Sequence, residues 1–323
     1  MVESSWALLR IPPNVQGMTT DRRNALAALA AAGLIWGLTV PMSKVAMGWL
    51  DPLWLTAARF AAAAPVLALA TRGSLRQAMT WRVAGWGVLF YAAVVGTQNV
   101  GVAMTSVSHG ALICGSVPAF VALVALASGR GSAGPSAWTG FGIAALGVLL
   151  VAGTGGGSSL VGDALVLLAA FISAFYVVAQ PSILNGRDPA AVTAVQMTAG
   201  ALVMTPLAAL IEGLPPATAA PTLHELTAFA ALAGLGSVVP FVLYAYGQKR
   251  VAPEVAGAFV NLEPLVGATV GAFAFGDPFG TPQLLGAAAI VGGIVMSLDW
   301  RPRRAYTDRT ASSASISSSI ASA

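Results

Sequence analysis

The sequence predicts an all-α integral membrane protein of ten transmembrane helices, and three observations predict it. Only 9% of its 323 residues are charged while 57% are hydrophobic, and the mean hydropathy is +0.79, far from the charge content of a soluble domain. No Asp, Glu, Lys or Arg occurs from Arg82 to Arg130, Arg130 to Asp163, Asp188 to Glu212, Glu225 to Lys249 or Asp277 to Asp299. A helix crossing about 30 Å of hydrocarbon needs roughly 20 such residues. Third, the cations alternate between loops: 14 of the 16 Lys and Arg fall on one side of a ten-span arrangement.

The spans follow in order. Helix 1, residues 24–46, resembles the start of a signal peptide after Arg22 and Arg23, but it runs through Val40 to Ala46 without a convincing cleavage site and is too long for that role. Helix 2 (52–71) opens on Pro52 and carries Arg59. The longest uncharged interval holds two spans, helix 3 (83–103) and helix 4 (107–128), divided at the turn-like "MTSVS" (104–108). Helices 5 to 10 occupy 137–153, 161–182, 190–211, 224–247, 253–275 and 281–299. The ends, 1–23 and 300–323, are tails: the first is mixed and Pro-containing, and the second closes on the Ser/Ala run "TASSASISSSIASA", which cannot bury a core.

Cytoplasmic loops retain Lys and Arg, which places both termini in the cytoplasm of a cell (inner or plasma) membrane protein. The basic pI of 9.6 is thereby accounted for by orientation and anionic lipid, with no nucleic-acid partner. Cys114 is the single cysteine, so there is no disulfide framework and no metal spacing. "HELTAF" (224–229) has Ala228 where a zinc helix needs its second histidine, and "GTGGGSS" (153–159) lacks the Lys of a phosphate loop. No cofactor and no metal is expected, and any transport must draw on a gradient.

The core carries a weak internal repeat. "TSVSHGALICGSVPAFVAL" (105–123) over "VAPEVAGAFVNLEPLVGAT" (251–269) aligns Pro118 with Pro264 at an offset of 146. Five helices per half start the second copy on the opposite side of the membrane, an inverted repeat of the kind that encloses a midplane site in secondary transporters.

"AAGLIWGLTVPMSKVAMGWLDPLWLTAARFAAAAPV" resembles the opening of the EamA domain of the drug/metabolite transporter superfamily, with its Trp-Gly, its Lys near the end of helix 1 and its Arg-Phe in helix 2. "SLVGDALVLLAAFISAFYVV" is similar to the start of a second such domain, and the stretch from "YGQKRVAPEV" to "GGIVM" to its end. The resemblance implies two inverted five-helix EamA-like repeats, 24–153 and 161–299, that move small metabolites, amino acids or drugs, usually outward. Where each half of the family commonly has Gly-Glu after its fourth helix, this chain has "SGRGSAG" and then Gly276-Asp277.

Polar residues inside spans are the site candidates, since each must find a partner or line water. Trp36, Asn99, Tyr176, Gln180, Tyr244 and Asn261 are candidate substrate contacts, Tyr176 and Gln180 sharing one helix face. Arg59, about 10 Å from the outer end of its helix, reads as a structural cation bonded to carbonyls or an acid of a neighbouring helix, and Lys44 as a second one that snorkels. His109, at the start of helix 4, reads as a neutral histidine satisfied by backbone. Glu263 is the one acid deep inside a span. Pro264 cannot donate to the Val260 carbonyl, so the helix opens beside it, and loss of water favours its protonated form. It is the candidate proton carrier. Asn261, about 200° around the helix from it, cannot share its face.

These features describe a secondary transporter, an exporter working by alternating access with a proton. Its expected partners are a small-molecule substrate, the lipid bilayer and a second copy in a homodimer. Two other classes stand beside it: an intramembrane enzyme on a lipid-borne substrate, which needs a nucleophile with a base that Ser116 lacks, and a channel, which needs a filter-like segment.

Overall fold

The computed structural model describes residues 13–129, 135–152, 159–215, 220–277 and 280–297, and these contain no strand. In chain order the helices are α1 (Pro13–Trp36), α2 (Thr39–Ala46), α3 (Pro52–Ala70), α4 (Leu75–Ala78), α5 (Trp81–Gly87), α6 (Val95–Met104), α7 (Val107–Cys114), α8 (Val117–Ala127), α9 (Pro135–Ala152), α10 (Leu160–Leu184), α11 (Pro189–Ile211), α12 (Leu223–Ala233), α13 (Val239–Gln248), α14 (Pro253–Val260), α15 (Leu262–Phe275) and α16 (Thr281–Ser297). Two π-helical stretches, Val88–Val94 and Gly234–Val238, join α5 to α6 and α12 to α13.

Among the described residues, eight helices are long and apolar enough to cross a membrane: Thr20–Ala46, Pro52–Ala70, Trp81–Met104, Val107–Ala127, Leu160–Leu184, Pro189–Ile211, Leu223–Gln248 and Val255–Phe275. The other two expected spans fall on α9 and α16, which are of 18 and 17 residues. The first helix begins at Pro13, eleven residues before the expected start, because a proline at the first helical position is already set to the helical φ. Part of the expected N-terminal tail is therefore helix. Residues 1–12 and 298–323, with most of "SGRGSAG" and "GTGGGSS", lie outside the described residues. "HELTAF" opens α12 as a capping box, in which Thr222 and Glu225 satisfy each other's backbone N–H.

Prolines write the helix breaks. A proline offers no N–H to the carbonyl four residues before it. Pro41, Pro118 and Pro264 release the carbonyls of Gly37, Cys114 and Val260. Accordingly α1 gives way to α2 across Gly37–Leu38, α7 ends at Cys114 and α14 ends at Val260. Pro65, Pro181 and Pro206 are carried inside α3, α10 and α11 without a break. The irregularities also recur at a fixed spacing: Val88 to Gly234, where the π stretches begin, and Gly115 to Asn261, where the helices break, are both 146 residues.

Packing repeats the same pairing. α3 lies along α11, α7 along α15 and α9 along α16, while α1 with α13 and α10 with α6 form two further pairs. Close approach is set by glycine. A Cβ on Gly33 would run into the Phe259 carbonyl and one on Gly37 into the Val266 side chain, so α1 meets the break between α14 and α15 through bare backbone. Gly267 does the same against Ala111 of α7. Ends are tied by side chains: both Glu212 oxygens accept the free N–H groups of Leu53 and Trp54 at 2.9 and 3.0 Å, capping α3 with a negative charge.

Candidate functional site

These helices surround a narrow cleft of about 90 Å³, smaller than a fully open small-molecule site. α1 and α2 supply Trp36, Thr39 and Ser43; α3 supplies Arg59; the first π stretch and α6 supply Phe90, Gln98 and Asn99; α7 supplies Cys114; α10 supplies Ser173; α13 supplies Phe241 and Tyr244; and α15 supplies Glu263. The remaining wall is aliphatic. The site is thus an apolar pocket with a few polar groups.

Arg59 is 4% exposed. Its Nε donates to Ser237 Oγ at 3.0 Å and its Nη2 to the Gly236 carbonyl at 3.3 Å, both in the second π stretch. The cause is again a proline: Pro240 stands four residues beyond Gly236 and leaves that carbonyl without its helical donor. Ser237 Oγ in turn donates to the Leu232 carbonyl at 2.9 Å. The same side chain, bonded to a carbonyl and a hydroxyl, lines the cleft. With five donors on a guanidinium and two engaged, it keeps donors for a ligand. Glu263, 7% exposed, lies in the same wall on α15, directly after the break, and interacts electrostatically with Arg59 and Cys114. Gln98 Nε2 lies 3.3 Å from Cys114 Sγ, linking α6 to α7 beside the carboxyl.

Trp36 packs its indole against Phe241 and Tyr244 at centroid distances of 5.0 and 4.8 Å, and its Nε1–H has no acceptor among the described residues. Tyr244 donates to the Ala256 carbonyl at 3.1 Å and Asn99 to Thr56 Oγ1 at 2.8 Å, so both are positioned before any ligand arrives. Three expected contacts lie elsewhere. Tyr176 and Gln180 do not line the cleft: with Gln196 of α11 they form a buried network, Tyr176 OH to Gln196 Oε1 at 3.0 Å, Gln180 Nε2 to Tyr176 OH at 2.9 Å, and reciprocal amide bonds at 3.0 and 3.1 Å. Tyr176 stacks its ring at 4.1 Å on Phe90, which lines the cleft, and hydrogen-bonds with Tyr91. Asn261 is buried away from the cleft at the break between α14 and α15, and its Oδ1 has no partner among the described residues. Lys44 does not line the cleft; its Nζ donates to the carbonyls of Val102, Ala103 and Thr105 at 2.8, 3.1 and 2.8 Å, closing the end of α6.

Sequence reasoning missed Phe90, Phe241 and Ser173 in the wall, and Gln196 as the third member of the amide network. Gln196 carried a usable signal as an amide within the uncharged interval from Asp188 to Glu212. It also misplaced the partner of His109, which is the Asp163 carboxylate at 3.3 Å rather than backbone.

The whole cleft falls within two stretches, 23–153 and 160–298, that match the model of the EamA-like transporter family. The chain belongs to the EamA-like transporter family. It is a multi-pass membrane protein of the drug/metabolite transporter type, and its general role is transport. This EamA-like transporter is 25% identical to the uncharacterized transporter YyaM of Bacillus subtilis over 284 residues, 84% of this chain and 92% of that one. An uncharacterized transporter of Archaeoglobus fulgidus is 24% identical over 83% of this chain and 95% of its own. Another from the same organism is 42% identical over 71 residues, which are 26% of its length. A crystal structure of 20% identity superposes with a TM-score of 0.69 over 85% of this chain and 96% of that one, a likeness of fold.

Proposed function

We propose that this EamA-like transporter is a secondary exporter of ten spans in two inverted halves, 24–153 and 161–299. It carries small metabolites, amino acids or drugs out of the cell through alternating access of the cleft. Both termini are cytoplasmic and the membrane is the cell membrane.

The observation that carries this reading is the cleft itself. It is bounded by both halves, built on helices that are broken or π-distorted at corresponding positions, and holds one carboxyl and one guanidinium in an apolar wall. The 146-residue recurrence of those irregularities supports the inverted pairing. On the proposed topology the aromatic cluster of Phe60, Phe90, Tyr91, Tyr176 and Phe241, backed by the amide network, closes the cytoplasmic side of the cleft. Glu263 is the proton carrier, and Arg59, Trp36, Asn99 and Tyr244 are substrate contacts.

The test is export. Cells overproducing the protein should enrich at least one small metabolite in the medium, and that solute should enter inverted membrane vesicles when a pH gradient, acid inside, is imposed. No enriched solute, or uptake indifferent to the gradient, contradicts the reading.

A further inference from the structure

A second concavity opens on the outer surface of the bundle, where a membrane-spanning protein meets lipid. It holds about 500 Å³ and lies where α5 and α8 both pack on α10. Trp86 of α5, Leu123 and Ala127 of α8, and Phe171, Phe175 and Val178 of α10 line it. Phe171 and Phe175 meet edge to face at 5.4 Å and are 42% and 41% exposed, so two rings stand open along the groove.

One end of this groove is polar. Arg82, four residues before Trp86 and therefore on the same helix face, reaches across to α10, where its Nη2 donates to Ser182 Oγ at 3.2 Å. Ser182 Oγ donates in turn to the carbonyl of Ala179, a lining residue, at 2.7 Å. A guanidinium has five donors, and this bond engages one. Phe120 of α8 meets Phe171 of α10 at 5.4 Å, and both helices pass along the groove from there, so Ser128 brings a hydroxyl to the same end as Ala179. Trp81, beside Arg82, is 87% exposed, as suits an aromatic side chain at headgroup level. From Phe171 to Ser182 the groove runs about 16 Å at 1.5 Å per residue, close to half of the roughly 30 Å of hydrocarbon in a bilayer. That is the depth of one leaflet.

We infer that this groove is a binding site for a phospholipid with an anionic headgroup: one acyl chain lies between α5, α8 and α10, and the phosphate sits on Arg82. Basic pockets between spanning helices hold anionic headgroups in this way. Charge argues against the other occupants. A second copy laid symmetrically on this face would bring its own Arg82 against the first, and the C-terminal tail carries Arg301, Arg303, Arg304 and Arg309. The chain would also brace the cleft, since Trp86 stands four residues before Phe90, and α10 turns Val178 to the groove and Val177 to the cleft. Only the leaflet, the inner one, rests on the proposed orientation.

The full-length protein in detergent, with no transported solute, tests it. The probe is phosphatidylglycerol with a photoreactive diazirine on one acyl chain, and the adducts are mapped by mass spectrometry. They should concentrate on Leu123 to Ala127 and Phe171 to Phe175, and exceed those of the matching phosphatidylcholine by about fivefold, the preference that one cation gives for an anionic headgroup. Arg82→Gln should bring the two lipids level, and Arg82→Lys should retain most of the difference. Ala127→Phe, which fills the groove from an exposed position, should remove the adducts of both lipids. Adducts spread evenly to other exposed positions such as Leu202 of α11, 70% exposed, or a preference unchanged in Arg82→Gln, overturn the site. In a Cys114→Ser background, an Ala127→Cys disulfide dimer that forms at saturating phosphatidylglycerol gives the face to a second copy and also overturns it. None of these readouts requires transport, so they stand or fall apart from the exporter reading.

Discussion

Arg59 and Glu263 line the same cleft, yet the guanidinium is held by Ser237 and Gly236 of the second π stretch rather than by the carboxylate. The two groups are therefore held by different helices while they still act on each other electrostatically across the cleft.

Arg59→Ala should remove the donor that satisfies the Gly236 carbonyl, costing about 1–3 kcal/mol and lowering the amount of folded protein in the membrane. Ser237→Ala should cost less, since Nη2 retains its acceptor. Thermal unfolding in detergent measures both. An Arg59→Ala protein as abundant and heat-stable as the parent, but unable to bind substrate, would assign the guanidinium to ligand alone.

Glu263→Gln should keep substrate exchange across reconstituted vesicles while losing acceleration by a pH gradient. The amide fills the same space and cannot change charge. Gradient-driven uptake equal to that of the parent would remove the carrier role from this residue.

Gly37→Ala should destabilise by about 1–3 kcal/mol, because the new methyl enters space held by Val266 and the backbone there is locked against the α14–α15 break. Gly85→Ala is the control. It meets nothing within 4 Å, and should be neutral or stabilising by up to about 1 kcal/mol. Equal effects at the two sites would mean that helix propensity, not packing, sets the cost.

Orientation is checked with single cysteines in the Cys114→Ser background. Leu214, 79% exposed in the turn after α11, should react as cysteine with an impermeant thiol reagent added to intact cells. Gly73, where a Cβ meets nothing within 4 Å, should react as cysteine only after the membrane is opened. The opposite pattern inverts the topology.

The helical character and the boundaries of most spans were legible because each physical cause is local: an uncharged interval, a proline, a cluster of cations. The partners were not, since they come from helices far apart in the chain. Arg59 could be assigned a carbonyl but not which one, although Pro240 marks Gly236 by the same rule that Pro264 applies to Val260. Tyr176 and Gln180 were correctly placed on one face. What escaped was Gln196 facing them from α11, which ties two candidate contacts into a buried network. His109 failed for the same reason, its carboxylate lying 54 residues further on.

The π stretch Val88–Val94 sets the rotational phase of everything after it. An α-helix turns by about 100° per residue, and a π stretch accommodates an extra residue within its wider turn. Wound as ordinary α-helix at the same length, this segment would carry Gln98 and Asn99 about a quarter-turn around the axis, away from the wall they now form. The same holds for Gly234–Val238 with respect to Phe241 and Tyr244. A change of winding at constant length would at these two places rewrite which side chains meet the solute.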